Sequence, residues 1–319
     1  MTHERMPSGE GMAIVVVPRD RFSMFARCLD AIEARTPPPF RVVAVAGGAD
    51  PATRSYLEGL RTMRPHVTAL LPDRLLEQSE SRNLALRQVR ERFVVVLEND
   101  TIVQEGWLPP LLECLREERA AAVAPLLWWY RGLHAAGGSF EERDQDGAVA
   151  FDYRINYSGI RRRRIDYPEN HCVLIDRERL ADFEFDEVEP FDVDLGLTLR
   201  QRGLSAFLEP RSLAHYEAPP PLERRDLPPF RLRWDWTAWE RSNLRFERKW
   251  GFVYDRACKR ASYRRQRLKF GLAARYPNAL TLAAANLAFG ATNRLQAAVA
   301  HRRWLRSGAA RLFRLHATE

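Results

Sequence analysis

The sequence predicts an α/β protein built on an open, mostly parallel sheet. In its first half, short β-branched runs alternate with segments of helical periodicity. The strand-like runs are apolar throughout, as expected for parallel strands that helices cover on both faces. With 319 residues, 45% of them hydrophobic, the chain is long enough for one large domain, or for a domain with an appendage.

Four strands alternate with four helices before residue 116. We expect the strands at 14–17, 42–46, 67–71 and 93–97. We expect the helices at 22–32, 51–60, 79–90 and 107–115. The prediction of the first helix is based on apolar residues at helical spacing, from Phe22 to Ile32. The second helix should begin at Pro51, because proline is favoured at the first helical position.

The second half of the chain is less regular. A strand is expected at 172–175, a helix at 195–202, and two short strands at 206–208 and 213–216 on either side of Pro210. Prolines at 219–221 and 228–229 indicate a linker, and helices should follow from Trp234 onward. We therefore divide the chain into a loose tail (1–11), an α/β domain (12–222) and a basic, helical, Trp- and Arg-rich extension (223–319).

The positive charge is concentrated at the C-terminal end. From Arg256 onward there are 14 Lys or Arg and one acid, a charge of +13, whereas the preceding part has 36 bases and 41 acids, a charge of −5. Trp304, Leu305, Leu312, Phe313 and Leu315 alternate with arginines there. Residues 256–319 should therefore either lie on an anionic membrane surface or pack on the acidic body.

Other bulk features exclude some classes of protein. No apolar stretch reaches the roughly 18 residues that a membrane span needs. The four cysteines form no C-x-x-C pair, and no signal peptide is evident, so we expect a cytoplasmic protein, peripheral at the inner face of the membrane if the tail docks there. The usual dinucleotide and P-loop motifs are absent.

A pair of acids follows the fourth strand. The apolar run at 94–97 leads to Glu98, Asn99 and Asp100. Residues i and i+2 of an extended chain point to the same side, so the two carboxylates could hold Mg²⁺ or Mn²⁺. The alternative is that Asp100 only caps the following helix.

Several short motifs occur in an order and spacing that resemble the GT-A fold glycosyltransferases of family 2, over about residues 12–217. They are Val15-Val-Val-Pro18-Arg19-Asp20-Arg21, Ser81-Arg82-Asn83, Leu97-Glu-Asn-Asp100-Thr101, Gly106-Trp107-Leu108, Phe185-Asp186-Glu187, Phe191-Asp192-Val193-Asp194-Leu195, and Pro210 with His215. The resemblance implies a Rossmann-like GT-A sheet, an inverting reaction, a UDP-, dTDP- or GDP-linked sugar donor, and a hydroxyl acceptor that is lipid-linked or part of a glycan. Synthesis of surface polysaccharide, glycolipid or glycoconjugate is the expected setting.

The resemblance also implies roles for individual residues. Asp192 would be the general base, with Asp194 as the nearest substitute. Asp100, Glu98 and His215 would hold the metal. His171 and Asp194 would lie on the acceptor side. The donor-binding residues would be Pro18, Arg21, Asp50, Arg82, Asn83, Glu98 and Asn99.

One departure from the family pattern leaves alternatives open. The paired acids usual after the second strand are replaced by Ala46-Gly-Gly-Ala-Asp50, and Asp50 could equally cap the helix at Pro51. The chain could therefore be a non-catalytic member that binds a nucleotide sugar. The basic tail suggests a further alternative, a nucleic-acid-binding protein. We do not expect this function, because no nucleic-acid-binding motif accompanies the positive charge.

Overall fold

The computed structural model describes residues 11–129, 132–135, 137–142, 149–152, 160–186, 191–217, 221–251, 264, 273, 276 and 278–306. The predicted N-terminal tail, apart from Gly11, lies outside these residues. So do most of residues 252–277 and all of 307–319.

A sheet of ten strands forms the centre of the protein. Its order is β10-β12-β6-β11-β4-β1-β2-β3, with β5 paired to β12 and β7 paired to β6. The strands are β1 (Met12–Val17), β2 (Arg41–Val45), β3 (Val67–Leu70), β4 (Phe93–Glu98), β5 (Thr101–Val103), β6 (Ala122–Trp129), β7 (Gly132–Ala135), β10 (Arg163–Ile165), β11 (Cys172–Asp176) and β12 (Ala206–Tyr216). A separate hairpin joins β8 (Ser139–Glu142) to β9 (Val149–Asp152).

The central part of the sheet is mostly parallel, as the sequence predicts, and β5, β7 and β10 join it antiparallel. The pairs β1–β2, β1–β4, β2–β3 and β6–β12 are parallel, and β11 runs antiparallel between β4 and β6. Alternate residues of β1 enter two different cores: Ile14 packs with α1 (Phe25–Arg35), and Val15 packs on the side of α3 (Gln78–Leu86). Helices therefore cover both faces, which explains why the strands are apolar throughout.

The remaining helices extend the layers and reach the end of the described chain. They are α2 (Pro51–Met63), α4 (Leu108–Glu117), α5 (Phe191–Gln201), α6 (Leu227–Arg233), α7 (Trp236–Trp250) and α8 (Ala279–Arg306). A 3₁₀ turn, Arg224–Asp226, precedes α6.

Two predictions about the second half were wrong. The two short strands around Pro210 are one strand, β12, which passes the proline through a register shift between Glu209 and Leu213. The second proline pair begins α6 instead of forming a linker, because proline is tolerated in the first turn of a helix. Strand β6, which lies inside the sheet beside β12, was not predicted.

The last described helix, α8, packs on the body through the face that carries Ala285 and Phe289. Ala285 and Phe289 are buried against Leu222 and Phe230, and the Asn286 side chain exchanges hydrogen bonds with the backbone of Leu222. Within the described residues, no helix is both long enough and apolar enough to cross a bilayer.

Candidate functional site

The site lies where β1 and β4 end side by side. Val17 pairs with Glu98, so the turn after β1 and the acids after β4 meet at one edge of the sheet. Asn99 fixes this turn, because its side chain accepts from the Arg19 N–H (3.3 Å) and donates to the Arg21 carbonyl (2.6 Å). The amide of Asn99, a predicted donor-binding group, is thus used within the protein.

We call Glu98 and Asp100 the acidic pair, and its first member is tightly held. Gln78 and Arg82, both on α3, donate to Glu98 Oε1 at 2.8 and 2.9 Å. Burial opposes ionisation of this carboxyl, but the neighbouring positive charges, led by His171 and Arg19, lower the pKa of Glu98. Glu98 is therefore a buried, ionised group.

The second member of the acidic pair is buried without hydrogen bonds. Neither carboxylate oxygen of Asp100 has a hydrogen-bond partner, and its nearest cation is Arg19 Nη1 at 3.5 Å from Oδ2. Burial is the main reason that the pKa of Asp100 rises to about 6. A buried carboxylate with free oxygens is a group that a hard cation would satisfy.

Arg19, which was not among the predicted site residues, spans the acidic pair. Its Nε lies 3.5 Å from Glu98 Oε2, and its Nη1 donates to the Tyr216 hydroxyl at 2.7 Å. The guanidinium also lies over the Tyr216 ring, 5.1 Å from the centroid. The only sequence signal for Arg19 was its position in the turn between Pro18 and Arg21.

His171 lies against the acidic pair. Its Nε2 is 3.7 Å from Glu98 Oε2, its Nδ1 is 3.1 Å from Glu169 Oε2, and its ring meets Tyr216 edge to face. Burial is the largest single effect and lowers the pKa of His171, but the Glu98 charge and the Glu169 hydrogen bond and charge together outweigh it, and the pKa is raised. Its predicted place on the acceptor side remains a proposal.

His215 is not brought to the acidic pair. Successive side chains of β12 point to opposite faces, and it is Tyr216 that contacts Arg19 and His171. Burial lowers the pKa of His215, and the charges that act on it are Glu217, Arg27 and Arg35. In the part of the chain that the structure describes, no three His, Cys, Asp or Glu side chains are grouped to hold a metal.

Two predicted donor-binding residues have structural roles. Asp50 caps α2 by accepting from the Ala52 and Thr53 N–H groups, which is the alternative that the sequence left open. Asn83 exchanges two hydrogen bonds with the backbone of Phe185. Both side chains are therefore satisfied without a ligand.

Arg21, a third predicted donor-binding residue, points away from the acidic pair. Its side chain is buried, with its Nε 3.3 Å from Asp20 Oδ1 and its guanidinium over the ring of Phe289 on α8. Arg82 also lies fully inside, beneath Glu98, and burial lowers its pKa to about 10 although Glu98 opposes the shift. Both arginines are therefore buried structural residues beneath the site.

The two acids of α5 face different neighbours. Asp194 is bound by α7, since Lys249 Nζ and Trp250 Nε1 each lie 2.8 Å from its Oδ1. Asp192, in the first turn of α5, is partly exposed, and its charge is felt by the buried Arg82. The charge of Asp192 thus acts on Arg82, which binds Glu98, whereas Asp194 is bound by α7. Their predicted roles as base and acceptor-side residue stay proposals.

A pocket opens beside Arg19 and Gln78, which contact the acidic pair. Its inner wall contains Pro18 and Arg19 after β1, Gly47 after β2, and Gln78 at the start of α3. Its outer wall comes from α6 and α7, through residues such as Trp239. The pocket has the position expected of a ligand site in an open α/β sheet.

Comparisons with known proteins agree with this architecture. The sequence model of Glycosyl transferase family 2 matches residues 13–177, which contain β1 to β4 and the acidic pair. A solved structure of GalNAc-T7 with UDP, GalNAc and Mn²⁺ superposes with a TM-score of 0.55 at 14% identity, over 72% of this chain and 49% of that chain, about half its length. No curated protein matches the sequence. The predicted GT-A type fold is confirmed, and since the family match spans more than half of its residues, the chain belongs to glycosyl transferase family 2.

Proposed function

We propose that this glycosyltransferase uses a nucleotide-diphosphate sugar and a divalent cation, and inverts the anomeric centre of the sugar. The observation that carries the proposal is Asp100, a buried strand-end carboxylate with two oxygens that lack hydrogen bonds, near a pocket at the carboxyl ends of the strands. Such a group lowers stability unless it meets a ligand, so its presence indicates a function.

The donor would lie in the pocket between the strand ends and α6 and α7. Gly47 lines the inner wall with backbone alone, and a side chain does not fit there because a Cβ would come within 2.6 Å of Leu76 Cγ and 2.8 Å of the Arg74 carbonyl oxygen. The acid that the family usually has after the second strand is thus replaced by backbone at this point of the wall. UDP-, dTDP- and GDP-linked sugars all remain candidate donors.

Asp100 and Glu98 would hold the cation, Mg²⁺ or Mn²⁺. These cations prefer oxygen ligands, and Glu98 Oε2 and both Asp100 carboxylate oxygens lack hydrogen-bond partners that would compete with a metal ion. When bound, such a cation neutralises the charge that develops on the leaving diphosphate. The GalNAc-T7 structure, which was solved with UDP and Mn²⁺, supports this assignment.

Asp192 would accept the proton of the attacking hydroxyl. It is partly exposed in the first turn of α5, and its charge acts on Arg82, which binds Glu98. Attack from the face opposite the leaving group would give inversion. His171 would line the acceptor side, beside Tyr216.

We also propose that an anionic membrane surface presents the acceptor, which suits a lipid-linked hydroxyl. The outer face of α8 carries Leu280, Leu287 and Leu295, which are 79%, 74% and 68% exposed. Their spacing puts them on one side of the helix, opposite Ala285 and Phe289. Residues 256–318 contain 14 bases and no acid, which complements an anionic leaflet. The residues beyond 306 that prompted this prediction lie outside the described part.

A donor panel tests the proposal. UDP-, GDP- and dTDP-sugars would each be added with Mn²⁺ and scored for donor hydrolysis and for a rise in melting temperature. We expect one nucleotide class to give both signals, and chelation to remove them. Stabilisation without any turnover would instead indicate the alternative, a non-catalytic nucleotide-sugar-binding protein. Salt-sensitive retention on DNA would favour the nucleic-acid alternative.

A further inference from the structure

Arg19 is more exposed to solvent than the two carboxylates of the acidic pair. Its side chain is 20% exposed, whereas those of Glu98 and Asp100 are 4% and 2% exposed. It also lines the pocket. A cation that approaches Asp100 from the pocket therefore meets the Arg19 guanidinium first.

The contacts between Arg19 and the acidic pair are loose. Both its contacts with these carboxylates measure 3.5 Å, and neither is a hydrogen bond, so Glu98 Oε2 and the two Asp100 oxygens are left without hydrogen-bond partners. A structural ion pair of this chain is tighter: Arg92 Nη2 donates to Asp176 Oδ2 at 3.0 Å. Arg19 thus supplies positive charge to the acidic pair without saturating its oxygens.

We propose that Arg19 is a resident cation of the acidic pair, that a divalent metal ion displaces it, and that the displaced guanidinium then binds the donor diphosphate. This inference rests on the proposed function. The metal ion and the Arg19 guanidinium would compete for the carboxylate oxygens of Glu98 and Asp100. Two positive charges that close together repel strongly in a buried site. A guanidinium on a long side chain can turn toward the pocket, and its fork of N–H groups matches phosphate oxygens.

The exchange couples the two ligands. Metal binding releases Arg19 to the pocket, and a diphosphate there draws Arg19 off the acidic pair. Each ligand therefore strengthens the binding of the other, by the same factor in both directions. Arg19 would prevent the metal from binding firmly before the donor is present.

The test compares Arg19→Gln with the native chain, by measuring free Mn²⁺ with electron paramagnetic resonance and UDP binding by calorimetry. Without UDP, Arg19→Gln should bind Mn²⁺ at least about tenfold more tightly, because the competing charge is gone. Without metal, it should bind UDP at least about tenfold more weakly. Arg19→Lys, which keeps the charge, should bind Mn²⁺ nearly as the native chain does. Arg54→Gln removes an exposed arginine paired with Asp73 and should change neither affinity.

The outcomes separate this inference from the proposed function. If the native chain binds Mn²⁺ with UDP but Arg19→Gln binds Mn²⁺ no more tightly, Arg19 is not a competitor and the inference fails alone. If neither protein binds Mn²⁺ in the presence of UDP, the proposed metal site fails as well. Melting curves of each variant establish that the protein compared is folded.

Discussion

Ser23 and Asp226 are joined by two hydrogen bonds although 203 positions separate them in the chain. The Ser23 N–H donates to Asp226 Oδ1 at 3.0 Å, and its hydroxyl donates to Oδ2 at 2.8 Å. The N–H groups of Phe22 and Glu223 donate to the same fully buried carboxylate. Asp226 therefore ties the start of α6 to the turn after β1, and thereby fixes the outer wall of the pocket.

Asp226→Ala should destabilise the protein by about 3 kcal/mol, because three backbone N–H groups and one hydroxyl lose a charged acceptor. Denaturant unfolding measures the loss. The control is Asp235→Ala, which removes the single N-cap bond to the Ala238 N–H and should cost about 1 kcal/mol. Equal losses in the two variants would show that Asp226 is no more than an ordinary helix cap.

Asp100→Asn should abolish transfer and yet stabilise the fold at neutral pH. In the folded chain the pKa of Asp100 is raised to about 6, above its ordinary value of 3.8, so the folded state disfavours the ionised form. The free-energy cost of ionising Asp100 in the folded state is absent below about pH 4, grows as the pH rises, and reaches its full value above about pH 6. The gain in free energy of unfolding should thus be on the order of 2 kcal/mol at pH 7.5 and near zero at pH 4.

Thermal unfolding of native and Asp100→Asn protein at the two pH values checks this. Turnover is measured in parallel with Mn²⁺ and with chelator. A variant that keeps full activity in chelator contradicts the metal assignment. If Asp100→Asn is less stable than the native protein at pH 7.5, ionised Asp100 does not destabilise the folded state and that part of the prediction is wrong.

Asp192→Asn should lower turnover by at least about 10²-fold with donor binding nearly unchanged, because the amide keeps the shape but accepts no proton. Donor hydrolysis, with water as acceptor, and calorimetry with UDP measure the two effects. Asp194→Asn is the matched control on the same helix: it weakens the contacts to Lys249 and Trp250 and should chiefly lower stability. The reverse pattern would transfer the role of base to Asp194.

Replacement of Leu280, Leu287 and Leu295 by Gln should remove membrane binding without unfolding the protein, because all three lie on the exposed face of α8. The native chain should float with anionic vesicles at low salt, where each basic residue near the surface contributes about 1 kcal/mol. A control with Met63→Gln and Leu244→Gln changes exposed apolar residues elsewhere and should float. If the native chain stays in the soluble fraction with anionic vesicles, the outer face of α8 does not bind a membrane.

The sequence by itself determined the first four strands of the sheet and the position of the acidic pair. Short, continuous apolar runs that alternate with helices are typical of parallel strands covered on both faces, and β1 and β4 are such strands. The change from Leu97 to Glu98 and Asp100 marks the end of a buried strand, and ligands bind at such ends in sheets of this kind. These features depend on neighbours along the chain, so local patterns reveal them.

Only the tertiary structure decided which side chains meet at that end. The choice between His215 and Tyr216 depends on the phase of a strand that passes Pro210 through a register shift, and no local pattern gives that phase. Whether Asp50 capped a helix or bound a donor was open until its two N–H partners were placed. Arg19 and α6 join the site through contacts across about 200 positions, such as those of Tyr216 and Asp226, and contacts at that separation follow from packing and not from periodicity.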